Sequence, residues 1–282
     1  MNTAANSGSF KLGGDLPVQR LGYGAMRITG TGIWGPPADR PEAIATLQRA
    51  VDLGVTFIDT AESYGPYVSE ELIAEALHPY PQGLVIATKG GLERPGPDQW
   101  VPDGRPERLR QALEGSLRRL RLERIDVYQL HRIDTKVPAD EQFGFLQEVQ
   151  REGLVRHVGL SEVDIPQIAL ARTFFTVASV QNRYNVGDRQ WEGVVDYCDR
   201  EGIAFIPWYP LQVGDEARAT IAQVAKRHHG ATPQQVALAW LLQRAPVILP
   251  IPGTSRRTHL EENLGASGIR LAEKDLRELK AI

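Results

Sequence analysis

The chain has 282 residues, 42% of them hydrophobic and 24% charged, with a formal net charge of -3 at pH 7. That length suits one large α/β domain or two small ones, and the balance is that of an ordinary globular protein. The slight negative charge argues against nucleic acid or an anionic membrane as partner, and no run nears the ~20 apolar residues that span a bilayer.

Residues 1–8 read as a flexible tail and 9–282 as a single domain. The polar N-terminal stretch has no apolar signal core, and the single cysteine, Cys198, excludes an intramolecular disulfide. Both features make the cytoplasm the expected location. PheLys at 10–11 and the run at 18–21 flank GlyGlyAsp, which predicts an N-terminal β-hairpin. A strand over 21–26 follows. Helices are then expected at 42–53, 69–77, 105–120, 141–151, 164–172, 190–201, 216–228 and 233–243. Strands are expected at 55–59, 84–88, 125–130, 157–161, 177–181, 203–208 and 247–250. Eight βα units in fewer than 300 residues favour a closed (β/α)8 TIM barrel over an open sheet.

Local signals support several of these elements. Leu109, Leu113, Leu117 and Leu120 form a stripe at helical spacing. Thr232, Pro233 and Gln235 fit an N-cap, a first helical residue and a capping-box partner. Residues 28–39 and the Pro/Gly-rich stretch 91–100 are long excursions that should border a pocket at the carboxyl ends of the strands. Cys198 reads as helix packing. Adjacent His228 and His229 point apart on a helix, and no metal-ligand spacing occurs.

Four polar residues fall at strand ends: Asp59 and Tyr64 in FIDTAESYG, Lys89 in VIATKGG and His131 in DVYQLHRID. In a barrel they would converge on one face. An ammonium beside a phenol lowers the phenol's pKa, so Lys89 would activate Tyr64 as a general acid. Asp59 would hold Lys89 charged, and His131 would hydrogen-bond a carbonyl oxygen or share the proton with Tyr64. Glu62, between Asp59 and Tyr64, is assigned no role. These spacings alone support an acid–base site.

The same residues resemble the aldo-keto reductases, which are NAD(P)H-dependent barrels, and the resemblance runs from about Lys11 to the last helix. It implies that Asp59, Tyr64, Lys89 and His131 form the catalytic tetrad. It further implies cofactor contacts from Gly24, Met26, Asp59, Ser161, Gln181, Trp208 and Leu211, with Trp208 stacking on the nicotinamide. IleProGlyThrSerArgArg at 251–257 resembles the family's phosphate cradle, giving Gly253, Thr254, Ser255 and Arg256, with Glu262 and Asn263 at adenine. Arg256 favours NADPH over NADH. Two positions depart from the family pattern: Glu162 stands where Asn is usual and Tyr209 where Ser is usual.

The resemblance implies NADPH-dependent reduction of an aldehyde or ketone, with pyridoxal or another aromatic aldehyde as substrate. Met26, Tyr23, Trp34, Tyr67, Trp100 and Arg132 are expected in the pocket wall. A short loop from Leu211 to about Asp215 and a short C-terminal segment after 273–280 suggest an open pocket. The alternatives are an NADPH-binding regulatory subunit with little turnover, a barrel hydrolase using Asp59 and Glu62, and a structural barrel. The partner is a small carbonyl compound, not a nucleic acid or membrane, and both monomer and homo-oligomer fit.

Overall fold

A computed structural model describes residues 3–211, 214–228 and 230–282. The chain enters through a hairpin in which β1 (Ser9–Leu12) pairs antiparallel with β2 (Leu16–Gln19). Gly13 makes the reversal at φ 63°, and a Cβ there would strike the His157 ring at 2.4 Å. Glycine is therefore required both by the backbone and by the close approach.

The remaining elements alternate. β3 (Tyr23–Gly24), α1 (Arg40–Asp52), β4 (Phe57–Asp59), α2 (Val68–Leu77) and β5 (Val85–Gly90) come first. A small ribbon of β6 (Leu92–Glu93) and β7 (Val101–Pro102) precedes α3 (Pro106–Leu120) and β8 (Ile125–Leu130). Then come α4 (Ala139–Arg151), β9 (Val155–Ser161), α5 (Ile165–Ala171), β10 (Val177–Gln181), α6 (Glu192–Glu201) and β11 (Ala204–Phe205). The chain finishes with α7 (Asp215–Ala225), α8 (Pro233–Arg244), α9 (Arg257–Gly265) and α10 (Glu273–Lys280).

The parallel sheet runs β3-β4-β5-β8-β9-β10-β11, and residues 247–252 close it. On one side Phe205 donates its amide to Val247 at 2.9 Å, and Leu249 donates to Phe205 at 2.8 Å. On the other, Gly22 donates to the Pro250 carbonyl at 2.9 Å and Gly24 to that of Pro252 at 3.4 Å. The eighth stave is thin because Pro250 and Pro252 have no amide proton to give. The result is the expected (β/α)8 barrel, with its N-terminal hairpin.

Two packed regions hold it. Inside the barrel, Phe57, Val85, Ala87, Val127, Ala178, Ala204, Ile206 and Leu249 meet Leu12, Leu16 and Val18 of the hairpin. The hairpin thus plugs the end where the strands begin, and Asp15 accepts from Arg156 at 2.7 Å and from His157 at 2.6 Å. Outside, the helices bury their apolar faces on the sheet. In α3, Leu109, Leu113 and Leu120 are buried and Leu117 is partly so. Each such burial contributes about 1.5–3 kcal/mol. The Thr232 hydroxyl caps α8 on the Gln235 amide, and the Gln235 side chain returns the bond.

Several elements differ from expectation. The strand over 21–26 keeps only Tyr23–Gly24, because Ala25–Ile28 turns into a 3-10 helix. The strand over 203–208 shortens to Ala204–Phe205. Within the expected loose tail, Ala4–Ser7 is a 3-10 turn whose Ala4 is buried and donates to the Leu53 carbonyl at 3.0 Å. Cys198 is buried, and burial pushes its thiol up to about 12. His228 bonds Asp275 at 2.9 Å, while His229 lies outside the described residues, as do residues 212–213 of the loop after Leu211. Among the described residues, no helix is long and apolar enough to cross a membrane.

Candidate active site

All strands of the sheet run the same way, so Asp59, Lys89, Leu130, Ser161 and Gln181 arrive together at one rim. Lys89 is fully buried and has three protons to place. Its Nζ donates to Asp59 Oδ2 at 2.7 Å, to the Thr60 carbonyl at 2.8 Å and to the Tyr64 hydroxyl at 3.3 Å. Asp59 Oδ1 accepts from Gln181 at 2.8 Å and from Gln129 at 3.4 Å. An ionised carboxylate only accepts, so the Gln181 amide nitrogen must face it. That leaves the Gln181 side-chain oxygen for another donor.

Burial works against charge here, and neighbours work against burial. Burial lowers the Lys89 pKa, but the Asp59 and Tyr64 contacts outweigh it and the ammonium stands above its ordinary value. The Tyr64 phenol goes the other way from expectation: burial raises it by more than the Lys89 charge lowers it. His131 is held well below 6.5 by burial and by the charges of Lys89, Arg132 and Arg94. Its imidazole is therefore neutral near pH 7. Nδ1 lies 3.3 Å from the Ser63 hydroxyl. A Ser63 hydroxyl donating to Nδ1 would leave the ring proton on Nε2. The His131 ring meets Tyr64 edge-on at 5.9 Å. The Tyr64 proton goes to no described protein atom.

These groups open into a cavity of about 830 Å³ lined by Tyr64, His131, Trp100, Arg132, Ser161, Gln181, Trp208 and Tyr209. Gly24, Met26, Arg27, Leu211 and Gly253 also line it. A Cβ on Gly24 would lie 2.6 Å from the Ile251 carbonyl, and one on Gly253 2.7 Å from that of Gly24, so bare backbone is required there. Near α9 a second hollow of about 300 Å³ holds Ser255, Arg256, Thr29, Pro37 and Glu42. Arg256 is exposed, whereas Arg257 is engaged by Glu42. Thr254 is buried, and its hydroxyl accepts from the Arg256 amide at 3.1 Å, which shapes the turn.

Some expected site residues stand elsewhere. Glu262 accepts from the Thr232 hydroxyl at 2.8 Å, Asn263 is buried in α9, and neither lines the cavity or the hollow. Of the expected wall, Met26, Trp100 and Arg132 line the cavity. Tyr23 is wholly buried and donates to the Thr254 carbonyl, and Tyr67 faces out under Arg119. Glu62 is buried and pairs with Arg108 at 3.0 Å, and burial pushes its carboxyl up to about 7. With Asp59 committed to Lys89, Asp59 and Glu62 do not form the carboxylate pair a hydrolase needs.

Two residues shape the site in ways the sequence does not assign: Arg94, which carries no signal there, and Glu162, marked only as a departure from the family pattern. Arg94 donates to the carbonyls of Gln99 at 3.0 Å, Ile33 at 2.9 Å, Ser63 at 3.1 Å and Gly32 at 3.1 Å, and stacks on Trp100 at 3.7 Å. It therefore ties both long excursions to the Tyr64 loop. Glu162 Oε1 accepts the Trp208 indole proton at 2.6 Å and the Arg183 amide at 2.7 Å. Its backbone is left-handed at φ 55°, which Asn tolerates better than Glu. The strain, about 1 kcal/mol, is offset by two bonds to a carboxylate.

Residues 20–282 match the Aldo/keto reductase family. The chain is 42% identical to Pyridoxine 4-dehydrogenase of Escherichia coli, over 98% of this chain and 99% of that one. It is 53% identical to Uncharacterized oxidoreductase C215.11c of Schizosaccharomyces pombe, over 96% and 88% respectively. Among solved structures it resembles an aldo-keto reductase from Klebsiella pneumoniae in complex with NADPH, with a TM-score of 0.80, 26% identity and coverage of 97% and 94%.

Proposed function

The chain belongs to the aldo/keto reductase family, and on that premise we propose that it is a cytoplasmic NADPH-dependent enzyme reducing an aldehyde or ketone to an alcohol, with Tyr64 as general acid. The observation that carries this reading is the Lys89 ammonium, fixed 2.7 Å from Asp59 and 3.3 Å from the Tyr64 hydroxyl. A charged amine held beside a phenol stabilises the phenolate left after the proton is given up.

The donor set fits a dinucleotide. Trp208 offers an indole face, and Ser161 and the free Gln181 oxygen offer a donor and an acceptor for a carboxamide. Gly24, Met26, Leu211 and Gly253 line the cavity. Thr254, Ser255 and Arg256 stand beside α9, where an exposed guanidinium suits a 2′-phosphate. Glu262 and Asn263 are assigned to adenine, with Glu262 sharing its carboxylate with Thr232. When bound, the nicotinamide supplies the hydride that adds to the carbonyl carbon.

The protein's part is proton handling and orientation. Neutral His131 donates a hydrogen bond from Nε2 to the carbonyl oxygen. Tyr64 delivers its proton to the same oxygen as charge develops there. Lys89 stabilises the tyrosinate, and Asp59 keeps Lys89 charged and aimed. Pyridoxal is the proposed substrate. Its support is the likeness to a pyridoxine dehydrogenase and a wall of Trp100, Trp208 and Tyr209 suited to a planar ring.

The test is titration with NADPH and NADH, followed by NADPH oxidation with pyridoxal and simple aldehydes. Tighter NADPH binding with turnover of pyridoxal is expected. Turnover of simple aldehydes but not pyridoxal would remove that substrate. Binding without turnover of any carbonyl would favour a regulatory subunit.

A further inference from the structure

The cavity wall carries a cation that the proton-transfer group does not use. Arg132 follows His131 at the end of β8 and is half-buried in the lining. Its Nη1 donates to the His131 carbonyl at 2.6 Å and to the Ser161 hydroxyl at 3.0 Å. Among the described residues, its Nε and Nη2 donate to no protein atom, and it has no ion-pair partner. Glu162 is the acid whose charge reaches it, but no Glu162 oxygen lies within ion-pair distance, its Oε1 accepting from the Trp208 indole and the Arg183 backbone amide.

Neither carboxylate of the lining, Asp59 or Asp98, pairs with it. Asp59 is matched by Lys89. Asp98 is exposed and lies against Gly32, Arg27 adds positive charge, and Arg218 is paired with Asp215 at 3.4 Å. A half-buried guanidinium without a direct ion-pair partner costs free energy. One held by Nη1 and by the Trp208 ring, 5.8 Å away, with Nε and Nη2 open, is preorganised for an oxyanion. Its neighbours are His131 and Ser161, so the oxyanion it awaits lies near the reacting carbonyl. Arg256 stands apart beside α9.

We propose that Arg132 is a substrate-anion subsite: a carbonyl substrate that carries a carboxylate or phosphate, separate from the carbonyl received by Tyr64 and His131, binds more tightly than its neutral parent, and Arg132 holds that anion. The inference rests on the reductase reading above.

The experiment compares 4-carboxybenzaldehyde with benzaldehyde, and glyceraldehyde 3-phosphate with glyceraldehyde. Wild type, Arg132→Gln and Arg132→Lys are each assayed for KM and kcat, and for NADPH affinity by fluorescence titration. In wild type the anionic member of at least one pair has a KM about tenfold or more lower than its neutral parent, equivalent to about 1.4 kcal/mol. The pair that shows it identifies carboxylate or phosphate. Arg132→Gln removes the preference by raising KM for the anionic member far more than for its parent, Arg132→Lys restores part of it, and NADPH still binds both variants. Turnover of the neutral aldehydes with no preference in wild type overturns the subsite and leaves the reductase standing. So does a preference that survives Arg132→Gln. Failure to turn over any of the four overturns both.

Discussion

The Glu162 carboxylate and the Trp208 indole share a 2.6 Å hydrogen bond. The acid sits behind the ring and not in the cavity lining, and through the Arg183 amide it joins the ends of β9 and β10 to Trp208. Glu162→Ala leaves two N–H groups without their acceptor, each costing about 1–3 kcal/mol where buried. The expected outcome is NADPH affinity weaker by roughly tenfold, with Glu162→Gln close to wild type because it keeps the acceptor. Fluorescence titration with NADPH checks both. Equal affinity in the alanine variant would show that the ring needs no such support.

Asp59→Asn strands a buried ammonium. Removing one partner of a buried pair costs about 3–5 kcal/mol, and Lys89 is wholly buried. A lower thermal midpoint and a kcat reduced together with kcat/KM are expected. The double variant Asp59→Asn/Lys89→Met should recover stability but not activity. A double variant no more stable than the single one would count against an ion-pair origin.

Arg94→Met removes four bonds to loop carbonyls at once. Residues 28–39 and 91–100 should then become cleavable by protease, and KM should rise more than kcat falls. Unchanged protease resistance would mean the loops are held by something else.

His131 gives a pH dependence with a definite sign. Burial, with the charges of Lys89, Arg132 and Arg94, depresses its folded pKa. The unfolded chain titrates near 6.5. Below that pH the unfolded state binds the proton that the folded state refuses, so this contribution to stability is lost as pH falls through about 6.5. The loss is at most about 1.4 kcal/mol per pH unit. His131→Asn should therefore lose less thermal stability than wild type between pH 7 and pH 5. Parallel losses would show that His131 titrates normally.

Much of this was legible because the barrel writes itself as a rhythm. Strands at 125–130 and 177–181 and the helix at 273–280 lie where the residues place them. The ends of the barrel were harder. At 21–26 a 3-10 turn interrupts the apolar run, and at 247–252 prolines thin the ladder. The four strand-end groups could be picked out because each follows a strand. Arg94 could not, since its partners are backbone carbonyls with no periodic mark, and Glu162 stood out only as a departure from the family pattern, its partners Trp208 and Arg183 lying distant in sequence. The direction of the Tyr64 shift also escaped, because burial is a property of the whole fold and not of the FIDTAESYG segment.

The most direct test is Tyr64→Phe, assayed for NADPH binding and for carbonyl reduction on the same preparation. A general acid is worth about 10²–10⁴ in rate. With Tyr64 as the acid, kcat falls by that factor, while NADPH affinity stays within about twofold of wild type and the thermal midpoint changes little. Turnover retained in the phenylalanine variant would contradict that role, because the proton would then be coming from another group.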